Sequence, residues 1–66
     1  MNAQRYEIIQ IDPDKELFGG CLAVVSEVNE WGVLAYVQSA GVPGQQYIRC
    51  KWSEFKRTGG AAVWIV

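Results

Sequence analysis

Four residues, Asn29-Glu30-Trp31-Gly32, separate two strongly β-favouring runs, CLAVVSEV (residues 21–28) and VLAYV (residues 33–37). Valine branches at Cβ, which restricts its side-chain rotation and suits a pleated strand better than a helix. In the first run Leu22, Val24, Ser26 and Val28 share one face while Ala23, Val25 and Glu27 share the other, the two-residue period of a strand. Asn and Gly supply turn chemistry between the runs. The sequence therefore predicts a tight antiparallel hairpin. No segment shows helical periodicity over a useful length, so a helical bundle is disfavoured.

The other segments fit around this hairpin. RYEIIQID (residues 5–12) is a first strand that breaks at Asp12-Pro13-Asp14, because proline removes a ladder donor and aspartate favours turns. DPDKELFGG (12–20) reads as a loop pinned by Leu17 and Phe18, with room for a short helical turn at Asp14–Phe18. QSAGVPGQQ (38–46), with Gly41, Pro43 and Gly44, is a hairpin loop. YIRCKW (47–52) alternates most clearly: Ile48, Cys50 and Trp52 point inward, and Tyr47, Arg49 and Lys51 outward. Trp52 and Phe55 have the spacing of a single 3₁₀ turn and are expected to plug the core. Lys56–Gly60 reads as a polar turn, and AAVWIV (61–66) as a last strand docking on the first.

A chain of 66 residues forms at most one domain and buries only about 60% of its unfolded surface, which argues against a self-contained enzyme. Small scaffolds need staples, and here there are two cysteines and no histidine. Cys21 and Cys50 lie 29 positions apart, without zinc-site spacing. They are expected to be reduced, as small apolar side chains, with Cys21 partly exposed and neither a nucleophile. Oligomerisation is then the expected aid. No apolar run reaches membrane-helix length, and the first residues lack a signal-peptide core; the expected location is cytoplasmic, with no membrane partner. Net charge is −1, but residues 1–44 carry −4 and residues 45–66 carry +3. If the chain ends meet, these charges interleave and largely cancel.

Five short strands in an open sheet expose two edges, and curling the sheet removes them. The order of strand, long loop, three-strand meander, 3₁₀ turn and short final strand resembles the Src-homology-type small barrel. Over almost the whole chain this layout implies an all-β fold, a five-stranded Src homology 3-like (SH3-like) small barrel with one 3₁₀ turn before the last strand, as a single domain over residues 1–66. GGCLAVVSEVNEWGVLAYV resembles the first hairpin of KOW-type barrels. The compact size, absence of histidine and the WIV ending are similar to small accessory proteins of phages and mobile elements. The acidic loop residues and paired aromatics of peptide-binding relatives do not map onto this chain, and RNA-binding KOW-type members are more basic. The resemblance therefore implies a fold and no activity.

The expected function is a non-enzymatic binding or assembly module that self-associates or docks a protein through an aromatic surface of Trp31, Tyr36 and Tyr47, with Trp64 as a further member, since Trp and Tyr dominate interface hot spots. Trp31 has a second reading, folded back onto the barrel wall. The alternative function is a nucleic-acid-binding face of Arg49, Lys51, Lys56 and Arg57, cations that attract phosphates beside aromatic rings that stack on bases. Asp12, Asp14 and Glu16 alternate like metal ligands but lack the calcium-loop pattern. Gly19-Gly20 and Gly59-Gly60 lack the helix and lysine of a phosphate cradle. No cofactor, metal or small-molecule substrate is implied.

Overall fold

The computed structural model describes residues 3–37 and 46–62. Its elements are strands β1 (Glu7–Ile11), β2 (Leu22–Val28), β3 (Gly32–Val37), β4 (Gln46–Lys51) and β5 (Phe55–Ala61), with one 3₁₀ turn at Trp52–Glu54 between the last two. All pairings are antiparallel, in the order β4-β3-β2-β1-β5. Among the described residues the fold is thus all-β, with five strands and one 3₁₀ turn. The late strand that pairs with β1 is Phe55–Ala61, not the expected AAVWIV segment (61–66), most of which lies outside the described residues. The hydrogen-bonded ladder does not run on from β4 to β5, so the sheet is not closed into a barrel.

The alternation of each strand builds one core. Ile9 and Ile11 from β1, Ala23 and Val25 from β2, Val33, Ala35 and Val37 from β3, and Cys50 from β4 are buried together. Phe18, Cys21, Ile48, Trp52 and Phe55 pack against them. Trp52 and Phe55 meet with ring centroids 5.8 Å apart. They form the expected plug against the core beside the 3₁₀ turn. Both cysteines are free; Cys50 is buried and Cys21 half-buried.

Three local expectations need correction. Lys56–Gly60 is not a turn but part of β5. Its turn chemistry survives as a bulge: Ile9 pairs with Arg57 and Glu7 with Ala61, so Ile8 faces Thr58, Gly59 and Gly60. Thr58 Oγ1 donates to the Ile8 carbonyl oxygen at 2.8 Å and accepts the Gly60 N–H at 3.1 Å, which closes the bulge within the ladder. Second, β2 carries a bulge at Ser26, because Val25 pairs with Ala35 and Glu27 with Leu34. The extra residue moves Glu27 to the face of Val24, away from Ala23 and Val25, and Ser26 Oγ donates to the Leu34 carbonyl oxygen. Third, Leu17 is 66% exposed, and of the two apolar side chains only Phe18 packs against the core. That loop is a series of turns without a helical segment. The QSAGVPGQQ loop up to residue 45, and the terminal residues from Val63 on, Trp64 among them, lie outside the described residues. No helix among the described residues is long and apolar enough to cross a membrane.

The β2–β3 hairpin closes with Asn29 N–H to the Gly32 carbonyl oxygen at 2.8 Å and Gly32 N–H to the Asn29 carbonyl oxygen at 3.3 Å. Gly32 has φ 154°, and a Cβ there collides with the Cys50 carbonyl oxygen and the Lys51 Cα. Gly59 also has positive φ, 85°, but a Cβ there meets open space. The two positions separate strain from collision. Gly59→Ala is expected to cost only the left-handed-backbone penalty, about 1–2 kcal/mol. Gly32→Ala adds an overpacking cost of about 1–3 kcal/mol, enough to leave so small a domain largely unfolded. Urea midpoints of the two variants check this, and equal midpoints contradict it.

Candidate functional site

Strand alternation sends Tyr47, Arg49 and Lys51 of β4 and Leu34 and Tyr36 of β3 to the outer face of the sheet. Tyr47 lies directly opposite Tyr36, and the rings meet edge-on at 5.8 Å. Arg49, two residues along the same face of β4, lays its guanidinium 4.5 Å from the centroid of the Trp31 ring. Trp31 sits in the hairpin turn next to the β4 end and is 37% exposed. Trp31, Arg49, Tyr47 and Tyr36 thus form a continuous strip. The structure brings together the three aromatic residues singled out in the sequence, with Arg49 as the link.

The three rings differ in what they offer. Tyr47 is 61% exposed. Tyr36 is half-buried with its hydroxyl shielded from solvent. Desolvation, together with the neighbouring Tyr47 and Tyr6, pushes its phenol above the usual range. Tyr36 also stands in a cross-strand row with Val24 and Ile8, the pairing that stabilises a sheet face. Trp31 neither folds wholly onto the wall nor stands free, because Arg49 covers one of its faces.

Beside the strip runs a groove between the 12–20 loop and β4. It consists of two adjoining clefts, each of about 410 Å³, that share Lys15 and Arg49. One end is lined by Leu17, Tyr47 and Ile48. The other is lined by Trp31, Lys51 and Glu54. Lys15, Leu17 and Glu54 were not expected here from the sequence. The pairing of Leu17 with Phe18 was the available signal, since adjacent residues on a turn rarely both face the core.

The 3₁₀ turn holds both walls. Glu54 accepts the Asp12 N–H on its carbonyl at 2.8 Å. Its carboxylate accepts the Lys51 N–H at 2.8 Å and pairs with Lys15 Nζ at 3.0 Å. Those contacts, the Lys51 N–H foremost, hold the Glu54 carboxyl below the usual carboxylate range. Trp52 Nε1 donates to the Glu30 carbonyl oxygen at 2.8 Å, tethering the turn that carries Trp31.

The four cations of the alternative face come from two strands that do not pair with each other. Arg49 and Lys51 lie on β4, Lys56 and Arg57 on β5 at the other end of the sheet order. Arg57 is ion-paired with Glu7. That contact, with the Gln4 N–H adding to it, depresses the Glu7 carboxyl against the effect of its burial. Cys50 shows the opposite shift, its thiol pushed up by burial. The described residues contain no group of three or more metal-ligating side chains. Comparison of the chain with protein-family models, with curated proteins and with solved structures finds no match.

Glu7 and Glu54 both have carboxyls held lower in the folded than in the unfolded chain, so their stabilising contribution is complete at neutral pH. It is lost as pH falls below the usual carboxylate range and through the folded values. Urea midpoints measured from neutral to acid pH are expected to drop across that window, and Glu7→Gln to flatten the drop. An unchanged slope in that variant removes the Glu7–Arg57 pair as a contributor.

Proposed function

We propose that this chain is a non-enzymatic docking module, a small five-stranded sheet with the strand layout of the Src-homology type, that binds a protein partner through the Trp31–Arg49–Tyr47–Tyr36 strip. The observation that carries the reading is the continuity of that strip: residues from a hairpin turn and two strands meet on one outer face. Trp, Tyr and Arg are the side chains that dominate protein-interface energetics. Their mutual contacts also restrain them before a partner arrives, which lowers the ordering cost of binding. The strand order and the position of the 3₁₀ turn support the Src-homology-type assignment.

Two observations weigh against the nucleic-acid reading. Its four cations are divided between strands at opposite ends of the sheet order, with Arg57 paired to Glu7. The Trp31 face that a base needs for stacking is occupied by Arg49. Self-association through the same strip sets Arg49 and Lys51 close to their own copies, an arrangement that like charges oppose.

A photoreactive p-benzoyl-phenylalanine in place of Tyr47 tests the reading in cells. A protein adduct is expected from that position and none from the same group in place of Lys56 on β5. A nuclease-sensitive adduct at either position favours nucleic acid. An adduct only to a second copy of the chain makes the strip an assembly surface. Equal yields from positions 47 and 56 sink the proposal.

A further inference from the structure

The groove carries more chemical information than the strip alone. Glu54, the carboxylate on its wall, is already engaged by Lys15 and by the Lys51 N–H. Arg49 and Lys51 have no ion-pair partner among the described residues. One end of the groove therefore presents two uncompensated cations, and the other presents the exposed Leu17 and Tyr47 above Ile48. β4 is also the outermost strand at its end of the sheet. Its far side has no ladder partner among the described residues. An extended segment can lie along such an edge with alternate side chains turned to the two walls.

Resting on the docking reading, we infer that the groove takes an extended acidic segment of a partner protein, with carboxylates at Arg49 and Lys51 and one apolar side chain against Leu17, Tyr47 and Ile48. Charge selects this occupant over the two others that fit a sheet edge. A second copy would bring its own Arg49 and Lys51 to the same edge, and cationic side chains on an edge strand oppose such pairing. A nucleic-acid strand needs a track of cations for successive phosphates. The groove offers two uncompensated ones between the carboxylates of Glu16 and Glu54. A short acidic peptide needs no more than those two.

The test is selection of peptides from a displayed random library on the purified full chain. The wild-type protein is expected to enrich Asp and Glu around one large apolar residue. Arg49→Glu combined with Lys51→Glu is expected to enrich Lys and Arg in their place. Both positions are exposed, and circular dichroism of the double variant checks that its fold is intact. For a peptide selected on the wild type, Arg49→Gln weakens binding by roughly two- to fivefold, the range for exposed charge pairs, and added salt weakens it further. A neutral or basic wild-type consensus overturns the inference, as does an acidic consensus that persists after charge reversal. If binding of a neutral consensus is lost in Tyr47→Ala, the docking reading stands and the acidic assignment alone falls. Absence of any enriched peptide also overturns the inference, while the docking reading is decided by the Tyr47 adduct. A single-stranded oligonucleotide bound more tightly than the selected peptide, and released by the charge reversal, replaces the acidic segment with nucleic acid.

Discussion

The three residues Trp52–Glu54 tie together parts of the chain that share no ladder. Glu54 bonds the Asp12 amide through its carbonyl and Lys15 through its carboxylate, and Trp52 bonds the Glu30 carbonyl through its indole. The 12–20 loop and the β2–β3 turn are thereby fixed to one short segment between β4 and β5. Each contact adds little net stability, because folding exchanges it for hydrogen bonds to water. Their effect on geometry is larger, because both walls of the groove are set from the same point. The ladder is open between β4 and β5, and this turn is the chain segment that links the two strands. The geometry of the groove thus rests on the same short turn.

Charge follows the same logic. The acidic first part and basic second part of the chain look like a segregated surface, yet both ion pairs among the described residues cross between them: Lys15 with Glu54 and Arg57 with Glu7. Pairing β5 with β1 places Arg57 opposite Ile9, next to Glu7. Partly exposed pairs add little stability. They do change which cations remain for a partner. A run of basic residues in the sequence thus becomes separate sites with different obligations, and only Arg49 and Lys51 face the groove uncompensated.

What could be read from the sequence was what local alternation decides. The β2–β3 hairpin, the inward set Ile48, Cys50 and Trp52, and the 3₁₀ turn before Phe55 follow from side-chain period and turn chemistry alone. The outward set of β4 was legible for the same reason, and with it Tyr47 and Arg49. The errors fall where two outcomes share one local signal. Gly59-Gly60 suits a turn or a bulge, and only the register of β1 against β5 chooses the bulge. A single extra residue at Ser26 carries Glu27 to the opposite face, a slip that no residue type announces. Leu17 and Phe18 compete for one place on the core. The Lys15–Glu54 pair spans 39 positions, and the Arg49 contact with Trp31 joins a strand to a turn that precedes it by 18 residues; neither has a sequence signature.

The division of labour among the aromatic residues explains why a surface this apolar coexists with a small core. Tyr47, Tyr36, Val24 and Ile8 stand opposite one another across four strands, so the outer face is stabilised by its own cross-strand contacts. Tyr36, flanked in that row and shielded at its hydroxyl, belongs to the sheet as much as to the surface. Tyr47, at the outermost strand, has neighbours on one side only, and its exposed ring is the part of the row left to bind something else. Trp31 is held from beneath by the Trp52–Glu30 tether of its turn and covered by Arg49 from the strand beside it. On the proposed reading, a carboxylate that draws Arg49 away would uncover the Trp31 face, because Arg49 covers that ring in the free chain.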